Sequence, residues 1–305
     1  MTNSLPEQDG KDDPLFNLDR RIKSFARDLL NEFNANKIKL TAIPSHKRIF
    51  VFFLTRAIKT YSAISHLSKD GYGQDTATLL RSLLENLISA KYILSDFLSA
   101  DEKAVRFVAY KWIIFKRYVA HFGNESHPIK DSLLNELSSN MPMIQKKVEE
   151  FKSKYRIQSD KALITWSGRS IRDMAKMAKP SLEEEYDLTF RTSSRFSHPS
   201  IIGDHEYLDC KDDQLIFSPF PSDIGVQTIL KLALRYLLDF FDLFVALFDL
   251  KAKTELNNLR EVFKIVEHDD ASQAEPSSGK SNLKLTSTQK ENIIIKFQTP
   301  SPDQY

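Results

Sequence analysis

From Ile224 to Leu250 the sequence is apolar over a stretch long enough to cross a bilayer, yet five charges interrupt it: Lys231, Arg235, Asp239, Asp242 and Asp249. At about 100° per residue these charges fall in one narrow stripe, with Gln227 and Thr228 beside it. A membrane span does not tolerate such a stripe, whereas a helix buried on three sides of a protein core requires one. The apolar arc between Leu232 and Leu250 covers well over half the circumference, more than a surface helix needs. This segment therefore predicts a helix at the centre of a bundle or in a homodimer interface, with several other helices around it.

The rest of the chain supplies those helices. Only 8 Gly and 12 Pro occur in 305 residues, too few turn formers for a many-stranded β fold. Asp13-Pro14 pairs an N-cap with proline at the first helical position and opens a helix to about Asn36. A second runs from about Pro44 to Lys69, with Phe50, Phe53, Leu54, Ala57, Ile58 and Ile64 on its apolar side. Gly71-Tyr72-Gly73 turns into a third, from about Gln74 to Leu98. Asp101 is expected to cap a fourth, aromatic-rich helix ending near His121, and Pro128 to open a fifth to about Tyr155. Ser170 with Asp173, and Ser181 with Glu184, read as capping boxes of two further helices. The second of these ends near His198, because Pro199 disfavours helical geometry in the residue before it. Residues 200–221 form a loop or small hairpin, and a short charged helix to about Glu267 follows the long one. The expected fold is all-α: a single bundle of about seven to nine helices over residues 14–268. Residues 1–13 are polar and acidic, and 269–305 are rich in Ser, Gln, Lys and Pro. Both are expected to be disordered, apart from a strand at Ile293–Phe297.

A formal net charge of +2 announces neither nucleic acid nor membrane. Between Lys146 and Lys179, ten Lys/Arg face four Asp/Glu, followed at once by Glu183, Glu184, Glu185 and Asp187. Such blocks form solvated helix faces or, alternatively, an anion or RNA footprint. Cys210 is the single cysteine, which fits a reducing, cytoplasmic setting, and no apolar signal segment opens the chain. His121 and His127 flank a Gly-Asn turn, and Asp204-His205-Glu206 lies near Cys210. Neither group has the ligand spacing of a zinc site, so no metal and no cofactor is expected. Phosphate-loop, dinucleotide, nucleophile-elbow and zinc-protease motifs are all missing.

Two constellations carry polar chemistry. Arg81 and Glu85 stand four apart and share a helix face, while Leu80, Leu83 and Leu87 turn into the core. The pair reads as a structural brace, or as an arginine held by Glu85 to take an anion. The second is Tyr186-x3-Phe190-Arg191-x2-Ser194-Arg195-x2-His198-Pro199. Seven residues turn about 700°, so Arg191 and His198 lie within about 20° of each other, with Ser194 and Arg195 between them. Tyr186, Phe190 and Ser193 form a packing face roughly a quarter-turn away. Two guanidinium groups and an imidazole on one face suit RNA cleavage by the 2′-hydroxyl, which needs a base near neutral pH and a cation for phosphorane charge. They equally suit a helix end stabilised by His198, with the arginines paired to Glu183–Glu185 or to another helix.

The order Arg81-Ser82-x-x-Glu85, Trp166-x-Gly168, then Tyr186-x3-Phe190-Arg191-x2-Ser194-x3-His198-Pro199 resembles a bacterial all-helical family of unknown function, over roughly residues 45–245. Arg191-x6-His198 also resembles the Arg-x4–6-His signature of the HEPN superfamily. That resemblance implies a metal-independent ribonuclease or RNA-binding protein of a toxin–antitoxin or anti-phage system. It further implies a homodimer, and an antitoxin or other operon partner. Carried over, His198 would be the catalytic base or acid and Arg191 the phosphate contact, with Arg195, Arg81 and Glu85 binding substrate. The alternative is a non-catalytic helical interaction or ligand-sensing module built on Arg81, Glu85, Arg191 and His198.

Overall fold

The structure, a computed structural model, describes residues 13–39, 42–73, 75–122, 139–157, 165–197, 208–211, 214–217 and 225–273. Its described helices are α1 (Pro14–Ala35), α2 (Ser45–Lys69), α3 (Ala77–Leu94), α4 (Ala100–Ala109), α5 (Lys111–Phe122), α6 (Met141–Lys154), α7 (Ile171–Met177), α8 (Glu183–Ser197), α9 (Val226–Phe248) and α10 (Lys253–Gln273). A 3₁₀ turn (Phe97–Ser99) precedes α4. The predicted small hairpin is present: β1 (Leu208–Lys211) pairs antiparallel with β2 (Gln214–Phe217), Leu208 opposite Phe217. The fold is all-α apart from this hairpin. The predicted fourth helix is broken at Tyr110 into α4 and α5; taken as one, the described helices number nine. Two compact units divide at Val266, Met1–Val266 and Glu267–Tyr305. In the second, the described residues are the closing turns of α10, and everything below concerns the first. The start of the fifth predicted helix at Pro128 and the strand at Ile293–Phe297 lie outside the described residues.

Helix α9 is the centre of the core. Phe240, Phe241 and Phe244 are completely buried, and α9 packs along both α2 and α3. Its phenylalanines serve several neighbours at once: Phe241 meets Phe25 of α1 edge-on at 5.2 Å, and Phe240 meets Phe50 of α2 at 6.1 Å. Burying each such ring stabilises by roughly 1.5–3 kcal/mol, so α9 anchors the bundle. Three charges of the polar stripe that interrupts α9 find partners. Arg235 reaches Glu185 of α8 (3.3 Å), Asp239 takes Lys91 of α3 (2.6 Å) and Arg260 of α10 (2.9 Å), and Asp242 also pairs with Arg260.

The local stops and starts follow the sequence closely. The Asp13 carboxylate accepts from the Leu15 N–H (2.7 Å), and Ser170 Oγ from the Asp173 N–H (3.0 Å). Gly73 is required by tertiary packing, since a Cβ there would lie 2.6 Å from the backbone nitrogen of Val226, where α9 begins. Asp101 departs from expectation. It makes no cap for its own helix; its carboxylate instead accepts from the backbone N–H of His46 (2.9 Å) and meets the His46 ring (2.9 Å), capping the start of α2. Those bonds, led by the backbone one, hold the Asp101 carboxyl below its ordinary range. Helix α3 is also shorter than the pattern suggests, ending at Leu94 before Ser95 and Asp96 turn the chain.

Helix α1 is fixed to α2 by a polar knot that hydropathy does not reveal. The fully buried Asp19 accepts from Tyr61 Oη (2.6 Å) and from the ammonium groups of Lys69 (2.8 Å) and Lys23 (3.2 Å). Burial alone would raise its pKa. The Lys69, Tyr61 and Ser65 hydrogen bonds and the Lys23 charge outweigh burial and leave it below the usual carboxylate value.

Candidate functional site

Helix α3 lies between α2, α7, α8 and α9, so it buries almost its whole circumference; Leu83 and Leu87 are fully inaccessible. One edge, facing α8, stays partly open, and Arg81 and Glu85 stand there. Arg81 Nε donates to Glu85 Oε1 at 2.9 Å, and the two side chains are 30% and 34% exposed. The Arg81 guanidinium lies over the ring of Phe190 at 4.0 Å, and Tyr186 packs its own ring 5.1 Å from Phe190. Two i,i+4 pairs, one from each motif, thus interlock across the seam: Arg81 with Glu85, and Tyr186 with Phe190. A half-exposed ion pair contributes about 0.3–1 kcal/mol and the cation–π contact about 0.5–2 kcal/mol, enough to fix the arginine's posture. Glu85 uses only Nε, so the forked Nη edge takes no protein hydrogen bond among the described residues.

Burial, and then the Glu85 charge, push the Tyr186 phenol above its ordinary value against the opposing Arg81 charge, so it stays protonated at neutral pH. Below the seam, α8 is tied to α9. Thr189 and Tyr236 share a buried hydroxyl–hydroxyl bond of 2.9 Å, and Ser193 Oγ donates to the Thr189 carbonyl at 2.6 Å. Burial pushes the Tyr236 hydroxyl upward too. Thr189 and Ser193 therefore lead the packing face of α8, while Tyr186 and Phe190 are half-buried on the α3 side. Sequence reasoning placed Ser193 there and Arg235 in the polar stripe of α9, and missed Thr189 and Tyr236. A usable signal existed in the polar i,i+4 pair Thr189/Ser193, facing a polar stripe on a helix otherwise apolar.

The acidic start of α8 is engaged elsewhere in the bundle. Arg172 of α7 forks onto Asp187 (Nε–Oδ1 3.0 Å, Nη2–Oδ2 2.8 Å) and touches Glu183 at 3.2 Å, while Glu185 takes Arg235. Trp166 and Gly168 pack farther along α3: the buried Trp166 ring stands edge-on to Tyr92 (5.7 Å) and Phe107 (5.2 Å). Gly168 has a φ of +73°, a conformation glycine adopts without strain, and a Cβ there would meet Arg106 Nη2 at 3.2 Å. Arg191 and Arg195 lie on the α8 backbone just beyond Phe190. Their side chains, and the whole of His198, lie outside the described residues, as do His127, Asp204-His205-Glu206 and the Cys210 side chain. No cluster of His, Cys, Asp and Glu suited to a metal ion occurs among the described residues. Nor is any described helix long and apolar enough to cross a membrane.

A family model described as a family of unknown function (DUF5677) matches residues 47–215, more than half of the chain. The chain belongs to that family. Its matched span holds both members of the α3–α8 seam, the Trp166 turn and most of the β-hairpin; α1, α9 and α10 lie beyond it. No curated protein and no solved structure matches the chain.

Proposed function

We propose that this DUF5677 chain binds RNA at the α3–α8 seam and acts as a HEPN-like, metal-independent ribonuclease of a bacterial toxin–antitoxin or anti-phage system. One observation carries the reading: Arg81 is held by Glu85 at 2.9 Å and by the Phe190 ring at 4.0 Å, with its Nη fork unengaged among the described residues, beside the helix that bears Arg191 and Arg195. A guanidinium fixed this way binds a phosphate without losing much side-chain freedom. In this reading Arg81, Arg191 and Arg195 hold the backbone phosphates, and His198 moves the proton at the 2′-hydroxyl or the leaving oxygen. A homodimer and an operon partner belong to the same proposal.

The test uses the full chain and labelled single-stranded RNA, with EDTA present. Arg81→Ala and Arg191→Lys are expected to weaken binding by about 10-fold each, the scale of one lost forked contact. His198→Ala is expected to leave binding intact and lower cleavage by about 10²-fold or more. Equal cleavage by wild type and His198→Ala overturns the catalytic assignment. RNA binding that ignores all three changes overturns the RNA reading as a whole. That result favours a second reading, a non-catalytic interaction or ligand-sensing module, which the mutual pairing of Arg81 and Glu85 independently supports.

A further inference from the structure

A different face of the bundle, sharing no residue with the seam, carries an apolar groove rimmed by cations. The first turns of α2 form one wall with Ser45, Arg48 and Ile49; α4 and the start of α5 form the other, from Ala104 to Trp112. The groove encloses about 430 Å³, and its floor is aliphatic. Val105 and Val108 are 40% and 47% exposed, and Phe52, one turn beyond Ile49 on α2, is 48% exposed. Large apolar side chains gathered on one face are more than the scattered exposure that ordinary surfaces show.

The charges around the groove are unbalanced. Among the described residues Arg48 bonds only to Ser45 Oγ of its own helix (2.9 Å), and the Lys111 ammonium sits over Trp112 at 4.8 Å. Arg56 and Lys59 continue the same exposed face of α2. None of these four cations forms an ion pair among the described residues. The acids on this side are Asp101, whose part-exposed carboxylate is bonded to His46 beside Ser45, and the exposed Glu102, so the four cations outnumber them.

We infer that this groove between α2 and α4–α5 is a docking site for an acidic amphipathic helix of a partner protein. The part of α4 that lines the groove, Ala104 to Ala109, rises about 9 Å, so the groove takes roughly two turns of a partner helix. Such a helix sets apolar residues at i, i+3/i+4 and i+7 onto Ile49, Val105 and Val108 and lays its carboxylates against Arg48 and Lys111. RNA fits less well, because the one ring lining the groove, Trp112, already carries the Lys111 ammonium, and the exposed Phe52 ring lies outside the lining. A second copy meeting this face with the same face fits less well too, since it would oppose the four cations mainly with cations.

The experiment is fluorescence anisotropy of the full-length protein with a labelled synthetic amphipathic helix bearing a Leu stripe flanked by Glu. Two controls accompany it, the same composition scrambled and a Lys-for-Glu version. The acidic helix is expected to bind at least about 10-fold more tightly than either control. Val108→Asp is expected to abolish binding, and Arg48→Glu with Lys111→Glu to weaken it by about 10-fold and remove its salt dependence. Each variant sits on an exposed position, and circular dichroism with a thermal melt confirms that it folds. Equal binding of all three peptides overturns the inference, as does indifference to these substitutions. A Val108→Asp change that turns a dimer into a monomer assigns the groove to a second copy instead, and competition by labelled oligouridylate assigns it to RNA.

Discussion

Helix α3 carries two cations fewer than three turns apart, and they live in different worlds. Lys91 is 5% exposed and spans the core to Asp239 of α9 at 2.6 Å; Arg81 is about a third exposed and bonds a glutamate of its own helix. The first has no surface through which to meet a ligand, and its whole value is to hold α3 in register with α9. The second is posed rather than buried, and its Nη donors take no protein hydrogen bond among the described residues. Burial therefore separates two kinds of charge on a single helix: a buried pair is committed, and an edge pair keeps donors to spare.

The comparison breaks most decisively at Asp239. Asp239→Ala strands a buried ammonium and is expected to cost about 3–5 kcal/mol in urea denaturation, whereas Arg81→Ala is expected to cost about 1 kcal/mol. Similar losses at both sites would show that the seam is as structural as the core. Next in size is the acid limb of stability. The Asp19 carboxyl has a folded pKa below its unfolded value, so its contribution is complete above about pH 4 and disappears as pH falls through the folded value. Asp19→Asn is expected to flatten the loss of stability as pH falls below about 4, followed by chemical denaturation at each pH; an unchanged acid limb would remove Asp19 from that role.

A double-mutant cycle on Arg81 and Glu85 should return a coupling of about 0.5 kcal/mol, and additive effects would show that they merely share a face. Phe190→Leu is expected to cost about 0.5–1 kcal/mol through the lost cation–π contact. The smallest effect discriminates best: about 1 M salt should erase most of the Arg81–Glu85 coupling and leave that of Lys91 and Asp239 nearly intact.

How far these two sites were legible follows from the distance their contacts bridge along the chain. Arg81–Glu85 was readable because four residues along a helix determine a neighbour. Its placement over Phe190 was not, although both motifs stood out, because nothing local says which helix faces which. Lys91 drew no attention at all: its partner lies 148 residues away, and an isolated lysine on a leucine-rich helix has no pattern. Asp101 was misassigned for the same reason. An aspartate near a helix start reads as that helix's cap, and only packing shows that the closer unsatisfied N–H belongs to α2.

By itself, then, the sequence determined the helices, most of their ends and the wide apolar arc of α9, because 3.6-residue periodicity and short-range caps are written within one or two turns. Tertiary structure alone decided that three charges of the stripe on α9 would pair with Lys91, Glu185 and Arg260, that Gly73 must admit Val226, and that Arg81 would rest on Phe190. Those outcomes depend on which apolar faces meet, and the hydrophobic effect that drives the meeting is non-directional; the pairing is settled only when the whole core closes.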